Sequence, residues 1–244
     1  MITLAAAATT AVDALLCGPV VDARLELVSV LGGETLGTYT PSAGRVVWDD
    51  SERRGHLDVD VPAAGMVLHP RHPLANFGQV LVANWTWPAL GVSVPCGRWL
   101  VAEPASRAGR LWQVAADPEG PARLARAQWW QPGGRVVRGT MAQQLDEMTG
   151  YARVPWVPVG AAGDHTAPDT ECRPGASVLS DVRKVLDHAD VEMRPSRRTM
   201  AVEIFRRSSA HPEPSGTWAA GTAPVSSVRG TPAPELAPHL APVC

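Results

Sequence analysis

Lysine, phenylalanine and tyrosine are almost missing from this 244-residue chain. Lys184 is the sole lysine among 22 basic residues, and Phe and Tyr number two each. With abundant Ala, Gly, Pro and Val, that bias points to a GC-rich coding sequence more than to a special task for guanidinium groups. A basic excess is lacking too. The formal net charge of −2 argues against a surface built to hold nucleic acid through its phosphates. The four cysteines, Cys17, Cys96, Cys172 and Cys244, form no CxxC pair. That speaks against a locally spaced zinc site and against a small disulfide scaffold, and leaves free thiols in a reducing cytoplasm as the expectation. No run of about 18 apolar residues is present, so no transmembrane helix is expected. Met1–Ala8 has no basic n-region, which argues against a secretion signal. There is no GxSxG, HExxH or P-loop pattern, and no repeat at a fixed period.

What is present is the material of a β-rich globule. Apolar residues make up 45% and charged residues 19%, and the length allows one large or two modest domains. Ala23–Leu27 alternates apolar and polar residues ahead of a Gly32-Gly33 turn. Gly44–Trp48 follows. His56–Val61 is the cleanest strand: Leu57, Val59 and Val61 share one face, and His56, Asp58 and Asp60 the other. Further strands are expected at Gln79–Trp85, Arg98–Ala102 and Gly109–Ala115, with Gly and Pro between them. Many short strands with turn signals favour a barrel or sandwich over a wound parallel sheet.

Beyond Trp112 the pattern changes. Gly139–Gly150 reads as a short helix with Thr140 as N-cap, and residues 152–175 as a loop. Ser177–Asp190 is the clearest helix, with Val178, Val182, Val185 and Ala189 in one stripe and Ser177 as cap. A hairpin is expected at Val191–Arg194 and Thr199–Arg206. From Ser208 the chain carries seven prolines in 37 residues, too little apolar content for a core of its own. The organisation expected is an N-terminal arm at 1–22, a β-rich body at 23–138, a smaller α+β lobe at 139–207 and a Pro-rich tail at 208–244.

Candidate chemistry is sparse. His56, Asp58 and Asp60 on one strand face, with His69 and His72 downstream, could be weighed as a zinc set, but a solvated face and two loop histidines explain them more simply. Asp146 and Glu147 diverge on a helix, Asp49 and Asp50 sit at a turn, and sequence spacing assigns none of them to glycosidic cleavage. Ser177 with His188 or His165 lacks the context of a nucleophile. No catalytic, cofactor-binding or metal-ligating residue is therefore assigned. The nine tryptophans say more. Core packing and subunit interfaces are the favoured uses, and Trp85, Trp87, Trp129 and Trp130 are the candidates for an interface or a sugar-stacking surface.

The order of these pieces resembles the short minor tail proteins of actinobacterial siphophages and prophages, a family related to tail-hub or baseplate-hub subunits. Asp22–Val30, Ser42–Ser51 and Arg53–Pro62 are similar to that family's opening strands. His72-Pro-Leu-Ala-Asn-Phe-Gly78 is similar to its "hPLaPfGt" loop and Val94–Val101 to its "vplGvfrI" strand. Ser177–Arg194 resembles its late helix and hairpin, although Pro195-Ser196-Arg197-Arg198 replaces the usual Gly-containing turn. The resemblance covers residues 13–207. It implies a barrel-like structural subunit of a virion's tail tip, assembled in the host bacterial cytoplasm, that joins the tail tube to the distal tip in a symmetric ring. The implied partners are copies of itself, with a homotrimer preferred to a homohexamer, and tail tube, distal tail and tip or fibre proteins. Neither sequence-specific nucleic acid nor membrane is implied, and no cofactor or catalytic residue comes with the family. A carbohydrate-binding receptor module and a wall-degrading enzyme are the alternatives.

Overall fold

The computed structural model describes residues 23–49, 54–62, 69–103, 105–108, 111–159 and 165–206. The expected arm and Pro-rich tail lie outside the described residues. The protein is mainly β. Its larger sheet comprises β1 (Arg24–Leu31), β2 (Glu34–Tyr39), β3 (Ala43–Asp49), β4 (Arg54–Pro62), β5 (Val80–Trp87), β6 (Val92–Val101), β7 (Ser106–Ala108) and β8 (Leu111–Pro118). The strands run in the order β2-β1-β5-β6-β8-β4-β3, with β7 also paired to β8, and every pairing is antiparallel.

The local reasons match the sequence. Gly32 and Gly33 both have positive φ, 60° and 92°, as a two-residue hairpin between β1 and β2 requires. In β4, Leu57, Val59 and Val61 are buried, while His56, Asp58 and Asp60 stay half-exposed. Two strand features are less legible. β2 has no clean alternation and a central Gly37. β6 starts at Val92, six residues earlier than the pattern predicts, and runs through Pro95. Its register against β5 shifts between Ala83 and Asn84, and a bulge at that point accommodates the proline.

The sheet cannot be flat. Laid out flat, the outer strands β2 and β3 would stand ~29 Å apart at ~4.8 Å per strand. Yet only Thr40, Pro41 and Ser42 join them, a link that spans at most ~14 Å. The sheet therefore rolls until its two edges approach, and its inner face packs on itself. Leu27, Leu57, Val59, Leu81, Trp99, Trp112 and Val114 form one cluster there, with Tyr39 of β2 and Val46 of β3 against it. The expected barrel is not closed: the strand path ends at β2 and β3, with no ladder between them among the described residues. The linker's own hydrogen bonds explain part of this, since the Ser42 amide and hydroxyl both donate to the Asp60 carbonyl.

A second core lies in an α+β lobe. It contains α1 (Glu119–Arg126), α2 (Met141–Tyr151) and α3 (Val178–His188), with β9 (Arg135–Val137) paired to β11 (Thr170–Cys172). A three-stranded sheet completes it, in the order β10 (Trp156–Pro158), β13 (Val202–Arg206), β12 (Val191–Pro195). Thr140 caps α2 through a capping box with Gln143, and Ser177 caps α3, as predicted. Leu124, Trp129 and Val137 pack in this second cluster, so the lobe's core starts well before residue 138, where the sequence places the division. The hidden element is α1. Its Gly120-Pro121 pair reads as a break, but a proline in the first turn forfeits no helical hydrogen bond. Residues 152–175, predicted as loop, also contribute the three-residue strands β10 and β11, too short to show a period.

The two cores are joined at α1. Glu119, 2% exposed, accepts from Arg98 of β6 (Nε to Oε2, 2.6 Å) and from Arg123 (Nε to Oε1, 2.9 Å). Arg126 donates to the carbonyls of Val101 and Ala102 at 2.6 and 3.1 Å. Gly120 lies against the segment that links β12 to β13 so closely that a Cβ there would meet the Met200 carbonyl at 2.5 Å.

Candidate interaction surfaces

The four tryptophans singled out by sequence fall into three situations. Trp85 and Trp87 lie at the end of β5, on the parity of the buried Leu81 and Ala83. Trp85 stands opposite Leu25 of β1 and Val94 of β6, and Trp87 opposite Val92. All five side chains are only partly buried. The two rings thus continue the core-facing row beyond the point where the core ends, at the rim of the rolled sheet. This is an apolar mouth, and its aromatic pair shares one face as predicted.

Trp129 does something else. It is buried, its Nε1 donates to Asp181 Oδ2 at 2.8 Å, and its ring stacks on Tyr151 at 4.5 Å. Asp181 is itself fully buried and also meets Lys184 Nζ at 2.5 Å. Trp129 is therefore a core residue that ties the loop after α1 to α3. Its neighbour Trp130 is 78% exposed. The backbone that presents Trp130 is held by hydrogen bonds from the Trp129 amide to the Ala176 carbonyl and from the Gly175 amide to the Trp129 carbonyl. A large apolar side chain shown to solvent from a fixed backbone has the character of an interface anchor. Phe77, 62% exposed, is a second such side chain, in the loop ahead of β5, and the sequence reading did not single it out.

The polar candidates disperse. His56 bridges two carboxylates on the wet face, Asp58 (Nε2 to Oδ1, 2.9 Å) and Asp117 (Nδ1 to Oδ1, 3.2 Å), and Arg45 meets Asp58 at 3.4 Å. His69 and His72 form a separate pair with ring centres 6.5 Å apart. No group of three or more His, Cys, Asp or Glu able to hold a metal ion occurs among the described residues. Asp146 accepts from Trp156 Nε1 at 2.7 Å, and Glu147 pairs with Arg135 at 2.5 Å. The two acids thus point to different partners, as their adjacency on a helix predicts. Asp50 lies outside the described residues. Ser177 is engaged as the cap of α3. Burial pushes both described thiols up to about 12, with Arg197 opposing the shift at Cys96 and the Asp181 carboxylate adding to it at Cys172. Neither is a nucleophile at neutral pH.

The outer edges of β2 and β3, which carry no ladder among the described residues, complete the list of surfaces. An edge strand presents unpaired backbone groups, a template for another strand.

No protein-family model matches the chain, and no curated protein matches it in sequence. Solved structures do resemble it. A tail protein from Neisseria meningitidis MC58 is 10% identical, with a TM-score of 0.50 over 74% of this chain and 50% of its own. The 43 kDa tail protein of prophage MuSo2 from Shewanella oneidensis is 12% identical, with a TM-score of 0.49 over 74% of this chain and 53% of its own. The prophage tail protein gp18 from Listeria monocytogenes is 8% identical, with a TM-score of 0.43 over 76% and 51%. The chain spans about half the length of the structures it matches.

Proposed function

We propose that this chain is a non-enzymatic structural subunit of a phage tail, placed at the tail tip as a hub or baseplate-hub component. The observation that carries this reading is the fold itself. A rolled antiparallel sheet joined to an α+β lobe follows the backbone of a tail protein over 74% of the chain. The surfaces support it, because among the described residues β2 and β3 end the strand path without a further ladder and Trp130 is presented to solvent from a hydrogen-bonded backbone. Copies pair edges or faces around a closed symmetric ring, a homotrimer in preference to a homohexamer, and leave a lumen for genome passage. The tail tube, distal tail and tip or fibre proteins are its neighbours in the virion, with assembly in the host bacterial cytoplasm, as the sequence resemblance to siphophage minor tail proteins implies. The mass of the purified protein, alone and mixed with tube protein, tests this. A ring of defined copy number is the expected result, and a monomer indifferent to tube protein overturns it.

A carbohydrate-binding receptor module is the second reading, favoured by the shared face of Trp85 and Trp87. Glycan binding that Trp85→Ala abolishes would select it over the hub.

A further inference from the structure

We infer that successive copies in the proposed ring meet head to tail, with Trp130 and Phe77 of one copy seated on the apolar mouth around Trp85 and Trp87 of the next. This contact presupposes the ring and specifies which surfaces build it.

The two surfaces lie at opposite ends of one sheet. The 10 residues of β6 separate Val92, at the mouth, from Val101 by ~30 Å. The lobe attaches at Val101, whose carbonyl accepts from Arg126, the last residue of α1. Trp130 follows shortly after α1. The Phe77 loop reaches the same end, since the Val101 amide donates to the Gln79 carbonyl at 3.1 Å. Trp130 and Phe77 are the two most exposed large apolar side chains among the described residues. One end of the molecule thus carries both aromatic projections. The other carries the partly buried apolar row of Leu25, Trp85 and Val94, with Trp87 and Val92 beyond it.

Both projections stand on fixed backbones, so little ordering entropy is lost when they dock. Trp130 is held through its neighbour Trp129, as described above. The Gln79 side-chain amide secures the Phe77 loop, donating to the Pro70 and His72 carbonyls at 2.6 and 3.1 Å. The Ser29 hydroxyl adds a bond to the Pro73 carbonyl at 2.5 Å, and Leu74 and Ala75 of the same loop are buried. A second copy is the occupant these facts select. Hot spots pair with hot spots across an interface, and this chain carries both halves of such a pair on a sheet that holds them apart. Mouth-to-mouth pairing would stop at two copies, whereas unlike patches on one rigid body make a heterologous contact that can close as a ring. Trp130 and Phe77 bury ~150–250 Å² each on docking, the share of a hot-spot centre in the ~800 Å² that each partner commonly contributes.

Mixing two broken variants of the full chain tests the contact. Trp130→Asp with Phe77→Asp spoils only the projecting end, and Trp85→Asp spoils only the mouth. Each variant alone should be a monomer by native mass spectrometry, with its circular dichroism spectrum unchanged. Mixed in equal amounts, they should form a one-to-one heterodimer and no ring, because each keeps the surface that the other lacks. Variants that stay apart at their highest soluble concentration overturn the contact, as does a ring formed by the Trp130→Asp, Phe77→Asp variant alone. Hydroxyl-radical footprinting of the unaltered chain needs no substitution and decides the matter if Trp85→Asp fails to fold. In the ring, Phe77, Trp85, Trp87 and Trp130 should all oxidise several-fold more slowly than in monomer obtained by dilution. Protection confined to one end, or unchanged on dilution, overturns the contact. A ring that forms without the Trp130 and Phe77 side chains leaves the hub reading standing, and an unaltered chain that never leaves the monomer overturns both.

Discussion

Adjacent residues with the same side chain have opposite fates here. Trp129 and Trp130 cannot be told apart by composition or by period, because the loop that carries them has none. The hydrogen bond to buried Asp181 decides which is inside. Trp129→Phe should cost about 1–3 kcal/mol, because it leaves a fully desolvated carboxylate short of one donor. Trp130→Ala should stay within about 0.5 kcal/mol of the parent. Urea unfolding of the two variants measures both. The thiols give a pH test. Cys96 and Cys172 rise from 9.0 to about 12 on folding, mainly through burial, and burial raises the Tyr39 phenol in the same direction. The folded state thus holds protons that the unfolded state has released. Stability from the two cysteines is complete below pH 9 and is lost as pH rises toward 12. Unfolding midpoints should fall over that window and fall less in a Cys96→Ala, Cys172→Ala variant.

Among the elements, those with a strong period or a cap were legible: β4 from its alternation, α3 from its stripe and Ser177, α2 from Thr140. Those missed are short, such as β9, β10 and β11, or carry residues that read as breakers, such as β2 with Gly37, the first half of β6 with Pro95, and α1 with Gly120-Pro121. In each of the latter a tertiary partner compensates for the weak propensity. The element that matters most for architecture is α1, because the junction of the two cores runs through it. Glu119→Ala should lower stability by about 2 kcal/mol. The loss stays near that value because Arg98 and Arg123, 28% and 36% exposed, regain water when the carboxylate goes. Gly120→Ala should act differently, by forcing α1 away from the Met200 carbonyl. Hydrogen exchange is then expected to accelerate in β12 and β13 ahead of β1 and β5.

At the scale of the whole molecule, the described residues form two hydrophobic clusters that meet at α1 through packing and not through a visible linker. Among the described residues, β2 and β3 end the strand path of the rolled sheet and the lobe exposes Trp130, and these are the surfaces on which the proposed assembly rests. Truncation at Ser208 removes none of the described residues of either core. The shortened chain should keep its circular dichroism spectrum and unfolding midpoint and assemble less completely, as sedimentation velocity would show. Loss of folding on that truncation would contradict the two-core architecture.

Strand and helix identity depends on neighbours a few residues apart, so periodicity, caps and turn glycines could be read directly, together with the neutral charge and the lack of any catalytic pattern. The strand order was beyond that range. β8 inserts between β6 and β4, pairing Gln113 with Asp60, 53 residues earlier, and Pro118 with Trp99, 19 residues earlier, and many alternative pairings satisfy the same local pattern. The choice among them is made by the single inner face, which must bury itself without a second layer, and by a three-residue link that brings the outermost strands together. That long-range burial also decided which tryptophans became core and which became surface.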